Sequence, residues 1–136
     1  MIIFDSTFLI DFMKSHNNPK KIKANRFFQE VLDSNEPFAT TFVNVFEIYK
    51  GAYKSENIEK SLNYINDMLK IIPVLKFNEK YYSEYGDLSA RLEKNGTPIG
   101  RFDELIAAIT IYNGARLVTN NTKDFSRIPA IEVINH

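Results

Sequence analysis

Apolar residues along the chain fall into two patterns, short unbroken runs and longer stretches spaced by three and four residues. Met1 to Phe4 is a continuous run, which predicts a strand covered on both faces and stopped at Asp5. Ser6 or Thr7 is then placed to cap a short helix carrying Phe8, Leu9, Phe12 and Met13. After a loop at His16–Pro19, Lys20 to Ser34 has Ala24, Phe27, Phe28, Val31 and Leu32 at helical spacing. A short strand is predicted at Phe38–Thr40, a helix from about Thr41 or Asn44 to Tyr53, and another from Asn57 to Lys70 on Ile58, Leu62, Ile65 and Leu69. Ile71–Leu75 reads as a strand, and Pro73, which cannot donate to a ladder, puts it at a sheet edge. Asn78 caps a predicted helix on Tyr81, Tyr85, Leu88 and Leu92 that stops at Asn95-Gly96. Beyond Pro98 and Gly100, Leu105, Ala108, Ile109 and Tyr112 mark another helix, ended by Asn113-Gly114. Leu117–Thr119 and Ile131–Ile134 complete the predicted strands.

Strands alternating with helices imply an α/β fold, a parallel sheet of about five strands between two helical layers. Right-handed crossovers place the first strand centrally, with the second and third winding outward on one side and the fourth on the other. The crevice where winding reverses then opens between Asp5, which ends the first strand, and Asp124, expected in the loop after the fourth. Asp103 falls in the first turn of its helix, and Glu47 in the helix after the second strand, so four acids share one end of the sheet.

Composition narrows the picture without deciding it. A chain of 136 residues that is 44% hydrophobic and 25% charged is expected to be one folded domain with its own core. Lysine and arginine total 17 and aspartate and glutamate 17, so attraction to nucleic acid would need a local basic patch. The chain has no cysteine, which excludes disulfides and thiolate chemistry and fits a cytoplasmic protein. The apolar N-terminus is interrupted by Asp5 and Asp11, unlike a signal peptide or a membrane span. Both histidines, His16 and His136, are expected to be solvated.

Each acid has an ordinary structural reading. Asp5 could cap the next helix, Glu47 follows Asn44 at capping-box spacing, Asp103 suits a helix dipole, and Asp124 suits a turn. Four carboxylates brought together, however, repel unless protons or cations compensate. Arg101 and Lys123 are near Asp103 and Asp124 in sequence and are expected to offset part of that charge. A hard divalent cation, Mg²⁺ or Mn²⁺, is the simplest compensator of an all-oxygen set.

In order and spacing, FDSTFLIDF, VNVFEIYKG, IGRFDELIAAI and LVTNNTKDF resemble the four acidic motifs of PIN-domain ribonucleases, in particular VapC-type toxins of toxin–antitoxin pairs. The resemblance runs from Met1 to about Val133. It implies a three-layer PIN-like fold in which Asp5, Glu47, Asp103 and Asp124 are the metal-binding, catalytic acids. It also implies hydrolysis of RNA phosphodiester bonds by an activated water, a small VapB-type antitoxin as partner, and a homodimer. Thr7 stands where the family often has Asn, and Asn44 where it often has Ser or Thr; both retain a group that hydrogen-bonds water or phosphate. Asn121 matches a supporting position of the fourth motif.

Lys20, Lys21, Lys23 and Arg26 form a basic run able to hold an RNA backbone, or simply a solvated helix start. Tyr81, Tyr82 and Tyr85 are expected in the core or an interface rather than stacked on bases, and aromatics without an assigned core role, Tyr64 and Tyr81 among them, are available to a dimer contact. Three other functions compete, the first being a PIN-domain nuclease that processes RNA without a toxin role. Asp5 after a first strand also resembles haloacid dehalogenase-like phosphatases, but Thr7 occupies the place of their second Asp. The acids could instead serve a non-catalytic interaction module.

Overall fold

The computed structural model describes residues 1–136. Four short strands, β1 (Ile2–Phe4), β2 (Phe38–Thr40), β3 (Arg116–Val118) and β4 (Val133–Ile134), form one sheet in the order β2-β1-β3-β4, every pair parallel. Seven helices connect them: α1 (Ser6–Phe12), α2 (Pro19–Ser34), α3 (Phe42–Tyr53), α4 (Ile58–Leu69), α5 (Tyr81–Lys94), α6 (Arg101–Tyr112) and α7 (Thr122–Phe125). The central strand is β1, as the winding argument requires, in register with β2 at Ile3↔Ala39 and with β3 at Ile3↔Leu117.

Successive strand residues face opposite sides, and here that alternation builds two cores. Ile2, Phe4 and Val118 pack into one with Phe8, Leu9, Phe28, Ile48, Ile65 and Met68, from α1 to α4. Ile3 and Leu117 pack into the other with Tyr81, Leu92, Ile106, Ile109 and Phe125, from α5 to α7. Phe4 and Phe8 stack with ring centroids 4.3 Å apart, which fixes α1 directly behind the strand that precedes it.

The structure departs from the sequence reading at several points. Ile71–Leu75 forms only one parallel bridge, Val74 to Thr40, on the outer side of β2. Pro73 contributes its carbonyl to Thr40 N–H and the next bond comes from Leu75, so the missing proline donor interrupts the ladder as its chemistry demands. The last strand shrinks to Val133–Ile134, and the loop expected around Asp124 is the one-turn helix α7. Asp5 occupies the N-cap position of α1 in place of Ser6 or Thr7. Thr41 caps α3, its hydroxyl accepting Asn44 N–H at 3.1 Å, so Asn44 and Glu47 form no capping box. Of the two placements expected for Tyr81, the structure shows the core. His136 is buried instead of solvated, with its ring edge-on to Phe8 and Nε2 3.2 Å from Asp11 Oδ2, partners far away in sequence that no local pattern announces.

Candidate active site

Parallel strands bring their C-terminal ends to one edge, and the chain turns into a helix or loop there after each. Asp5 leaves β1, Thr41 and Asn44 follow β2, and Thr119 to Asn121 follow β3. Gly100, at φ 103°, turns the chain into α6 and sets Asp103 in its first turn. A residue with a Cβ is strained at that angle.

Asp5 is only 3% exposed, yet its carboxylate makes no capping bond to α1. Instead Asn44 Nδ2 donates to Oδ1 at 2.8 Å and Thr119 Oγ1 donates to Oδ2 at 2.6 Å. Asn44 Nδ2 also reaches Ser6 Oγ at 2.9 Å, and Ser6 Oγ donates to Glu47 Oε1 at 2.7 Å. On the other side Asn121 Nδ2 reaches Asp103 Oδ2 at 3.0 Å and Asp124 Oδ2 at 3.3 Å. Thr119 Oγ1 joins the halves by accepting Asn121 N–H at 3.0 Å. One polar network therefore holds all four acids. Ser6 and Thr119 belong to it but were not singled out from sequence; their positions beside Asp5 and at the end of β3 were the available signal.

No lysine or arginine pairs with the four acids. The ion pairs lie elsewhere, on Glu36, Asp11, Asp67 and Asp87. Arg101 and Lys123, expected to offset the charge, are exposed and make no such pair. The consequence is electrostatic. Burial first, then the charges of Asp5, Glu47 and Asp124, push Asp103 up to about 7, against a partial opposing effect of Asn121. Glu47 is raised as well, by burial and by Asp5, with the Ser6 hydrogen bond opposing. In this arrangement no three acidic groups converge closely enough to hold a metal ion; hydrogen-bonding side chains stand between them.

Asp103 and its neighbour Glu104 divide the roles that sequence alone leaves open. Glu104 is buried and structural, accepting Ser89 Oγ at 2.6 Å and Ile99 N–H at 3.1 Å, which ties down the turn into α6. Asp103 has only the Asn121 amide. In the basic run, Lys20, Lys23 and Arg26 are exposed on α2, whereas Lys21 bonds the Phe12 carbonyl and lies 4.4 Å over the Phe12 ring. That side chain is committed within the fold.

Residues 2–131 match the PIN domain family. Ribonuclease VapC1 of Haemophilus influenzae is 35% identical over 130 residues, 96% of this chain and 93% of that protein. The tRNA(fMet)-specific endonuclease VapC of Salmonella typhimurium is 32% identical over 91 residues, 67% of this chain and 69% of that one. Among solved structures, a chain of VapBC2 from Rickettsia felis bound to a DNA fragment from their promoter superposes with a TM-score of 0.86 at 29% identity, covering 100% of this chain and 99% of that one. A chain of VapBC-1 from nontypeable Haemophilus influenzae gives 0.81 at 33% identity, covering 99% and 98%. With sequence and fold agreeing over nearly its whole length, the chain belongs to the PIN-domain family, in its group of VapC ribonucleases.

Proposed function

We propose that the protein is a Mg²⁺- or Mn²⁺-dependent endoribonuclease, the toxin of a VapBC-type toxin–antitoxin pair, acting in the cytoplasm. The observation that carries this reading is the set of four acids from separate elements, networked at one edge of the sheet without a single basic partner. An all-oxygen donor set suits a hard divalent cation; Asp5, Glu47, Asp103 and Asp124 are the residues that would hold it, once the Asn44, Ser6 and Asn121 side chains between them give way and let the carboxylates converge. When bound, the ion supplies charge neutralisation at the phosphate and a more acidic water. The chain's own part is orientation. Asn44 and Thr119 fix Asp5, Ser6 fixes Glu47, and Asn121 spans Asp103 and Asp124. Thr7, half-buried beside Thr119, adds a hydroxyl for water or phosphate. In the reaction, a water oxygen bonds to phosphorus while a bridging P–O bond breaks, and no covalent enzyme intermediate forms.

The antitoxin reading is supported by the VapBC complexes that the fold matches. An apolar cleft of about 380 Å³, lined by Ile10, Met13, Ile48, Ala52 and Ile65, opens beside Glu47. An apolar antitoxin segment laid there would bring a basic side chain to the unpaired acids. A homodimer is part of the same proposal, and Lys20, Lys23 and Arg26 are the exposed bases available to an RNA backbone.

The deciding experiment measures cleavage of a mixed RNA by the free protein, with Mn²⁺, with Mg²⁺ and in EDTA, alongside Mn²⁺ binding by calorimetry. We expect metal-dependent cleavage that Asp103→Asn removes together with most Mn²⁺ affinity. Metal binding without cleavage under all conditions would favour a non-catalytic interaction module.

A further inference from the structure

Asp11 is a buried acid that the acidic centre does not use. It lies on α1, 7% exposed, and groups from three parts of the chain meet it. Lys14, just past the end of that helix, pairs with Oδ1 at 2.9 Å. From the segment after β4, His136 Nε2 lies 3.2 Å from Oδ2, and from the loop after β3, Asn120 Nδ2 reaches the same oxygen at 3.4 Å. Burial works to raise Asp11, but hydrogen bonds and charge from Lys14 and His136 outweigh it and hold the carboxyl below its usual range. An ionised carboxylate only accepts, so His136 Nε2 and the Asn120 amide are both donors here.

Asn120 is gripped twice. Its backbone N–H donates to Thr7 Oγ1 at 2.9 Å while its side chain reaches Asp11. Thr7 and Asp11 are four residues apart on α1 and so share one face. A single tether at Thr7 would leave the turn free to pivot, and a second one helical turn away prevents it. What the turn carries is the centre itself, since Thr119 donates to Asp5 and Asn121 spans Asp103 and Asp124.

We propose that Asp11 is a positioning residue of the acidic centre: by holding Asn120 from α1, it fixes the Thr119–Asn121 turn that orients three of the four acids. Its catalytic consequence rests on the ribonuclease reading, while its geometric content does not. The carboxylate makes no bond to the four acids, and it acts through Asn120.

The test uses Asp11→Ala, Asn120→Ala, the double variant and Lys14→Met, the last removing the local Asp11–Lys14 ion pair but leaving the tether. Two readouts are needed, the side-chain amide resonances of Asn121 in the metal-free protein and the kcat and KM of Mn²⁺-supported RNA cleavage. Each single alanine variant should shift the Asn121 resonances and lower kcat about tenfold, the usual scale for removing an orienting partner, with KM nearly unchanged. The double variant should be no slower than the slower single one, because both cut the same link. Lys14→Met should keep wild-type kcat. Because Asn120 is exposed, Asn120→Ala keeps the test decisive if Asp11→Ala fails to fold. Asn121 resonances unmoved in Asn120→Ala, with kcat retained, would overturn the proposal and leave Asp11 a packing residue. Should the wild-type protein cleave no RNA, the ribonuclease reading falls, and the Asn121 resonances alone still decide whether the tether fixes the turn.

Discussion

Asp103 is where the cost of the acidic centre becomes measurable. Its carboxyl is pushed up to about 7 in the folded protein from an ordinary 3.8, so between these values the native state binds the extra proton. Stability from this group is therefore present at low pH and is lost as pH rises from about 4 towards 7. Glu47, also raised, acts in the same direction. Asp103→Asn removes the penalty, and we expect the metal-free variant to gain about 1–2 kcal/mol at pH 8, discounted for the solvent that reaches the side chain. At pH 4 the gain should vanish. Thermal unfolding in EDTA at both pH values checks this, and a loss of stability at pH 8 would return Asp103 to helix-dipole duty. His136 works with the opposite sign. Burial lowers its pKa from 6.5 despite Asp11, so the folded state resists the proton and stability falls as pH drops below about 6.5. His136→Phe should flatten that acid limb, read from the same melts, while leaving the Asp103 effect in place.

At the scale of elements, the start of α3 shows what was legible in the sequence and what was not. The Thr41–Asn44 spacing marked a helix start correctly, but two residues there can cap, and only the structure shows which one does. With Thr41 capping, Asn44 is freed to face Asp5 and Ser6, fully buried with its donors spent on both. Asn44→Ala strips a buried donor from an unpaired carboxylate. It should destabilise by about 1–3 kcal/mol, the scale for an unsatisfied buried group, and lower cleavage as Asp5 loses its orientation. Thr41→Ala should cost about 1 kcal/mol through the cap and affect cleavage less. Chemical denaturation with parallel rate measurements separates the two, and equal losses of rate would sink the distinction. A helix on strong apolar periodicity, such as α4, was readable because packing alone defines it. The one-turn α7 and the single bridge at Val74 were not, since each rests on a few backbone bonds that leave no period in the sequence. Asp11, His136, Ser6 and Thr119 escaped for a related reason: each depends on a partner far away in sequence.

For the whole molecule, alternation and crossover handedness were enough to order the sheet and bring the acids to one edge, because parallel winding permits few arrangements. What the sequence left blank is which surface meets another copy. Tyr64, exposed, lines open clefts on the α1–α4 side. The better-founded surface lies on the α5–α6 side. An apolar cleft of about 270 Å³ between Phe42, Phe77, Tyr82, Tyr85 and Leu105 opens there, and Phe77 and Tyr82 are 56% and 69% exposed. Exposed aromatics in contact, with ring centroids 5.4 Å apart, form the kind of patch that a monomer rarely leaves uncovered. A net charge of zero adds no long-range repulsion between copies. The wild-type protein is therefore expected to sediment as a dimer at micromolar concentration. Tyr82→Glu places a charge in the patch and should weaken association by about 30-fold or more, the loss of one anchoring residue. Because Tyr82 is largely exposed, the folded protomer should stay within about 0.5 kcal/mol of wild type. Sedimentation velocity against concentration, with denaturation of each protein, tests both halves. A wild-type monomer would remove the dimer, and a Tyr82→Glu dimer of unchanged affinity would move the contact to another face.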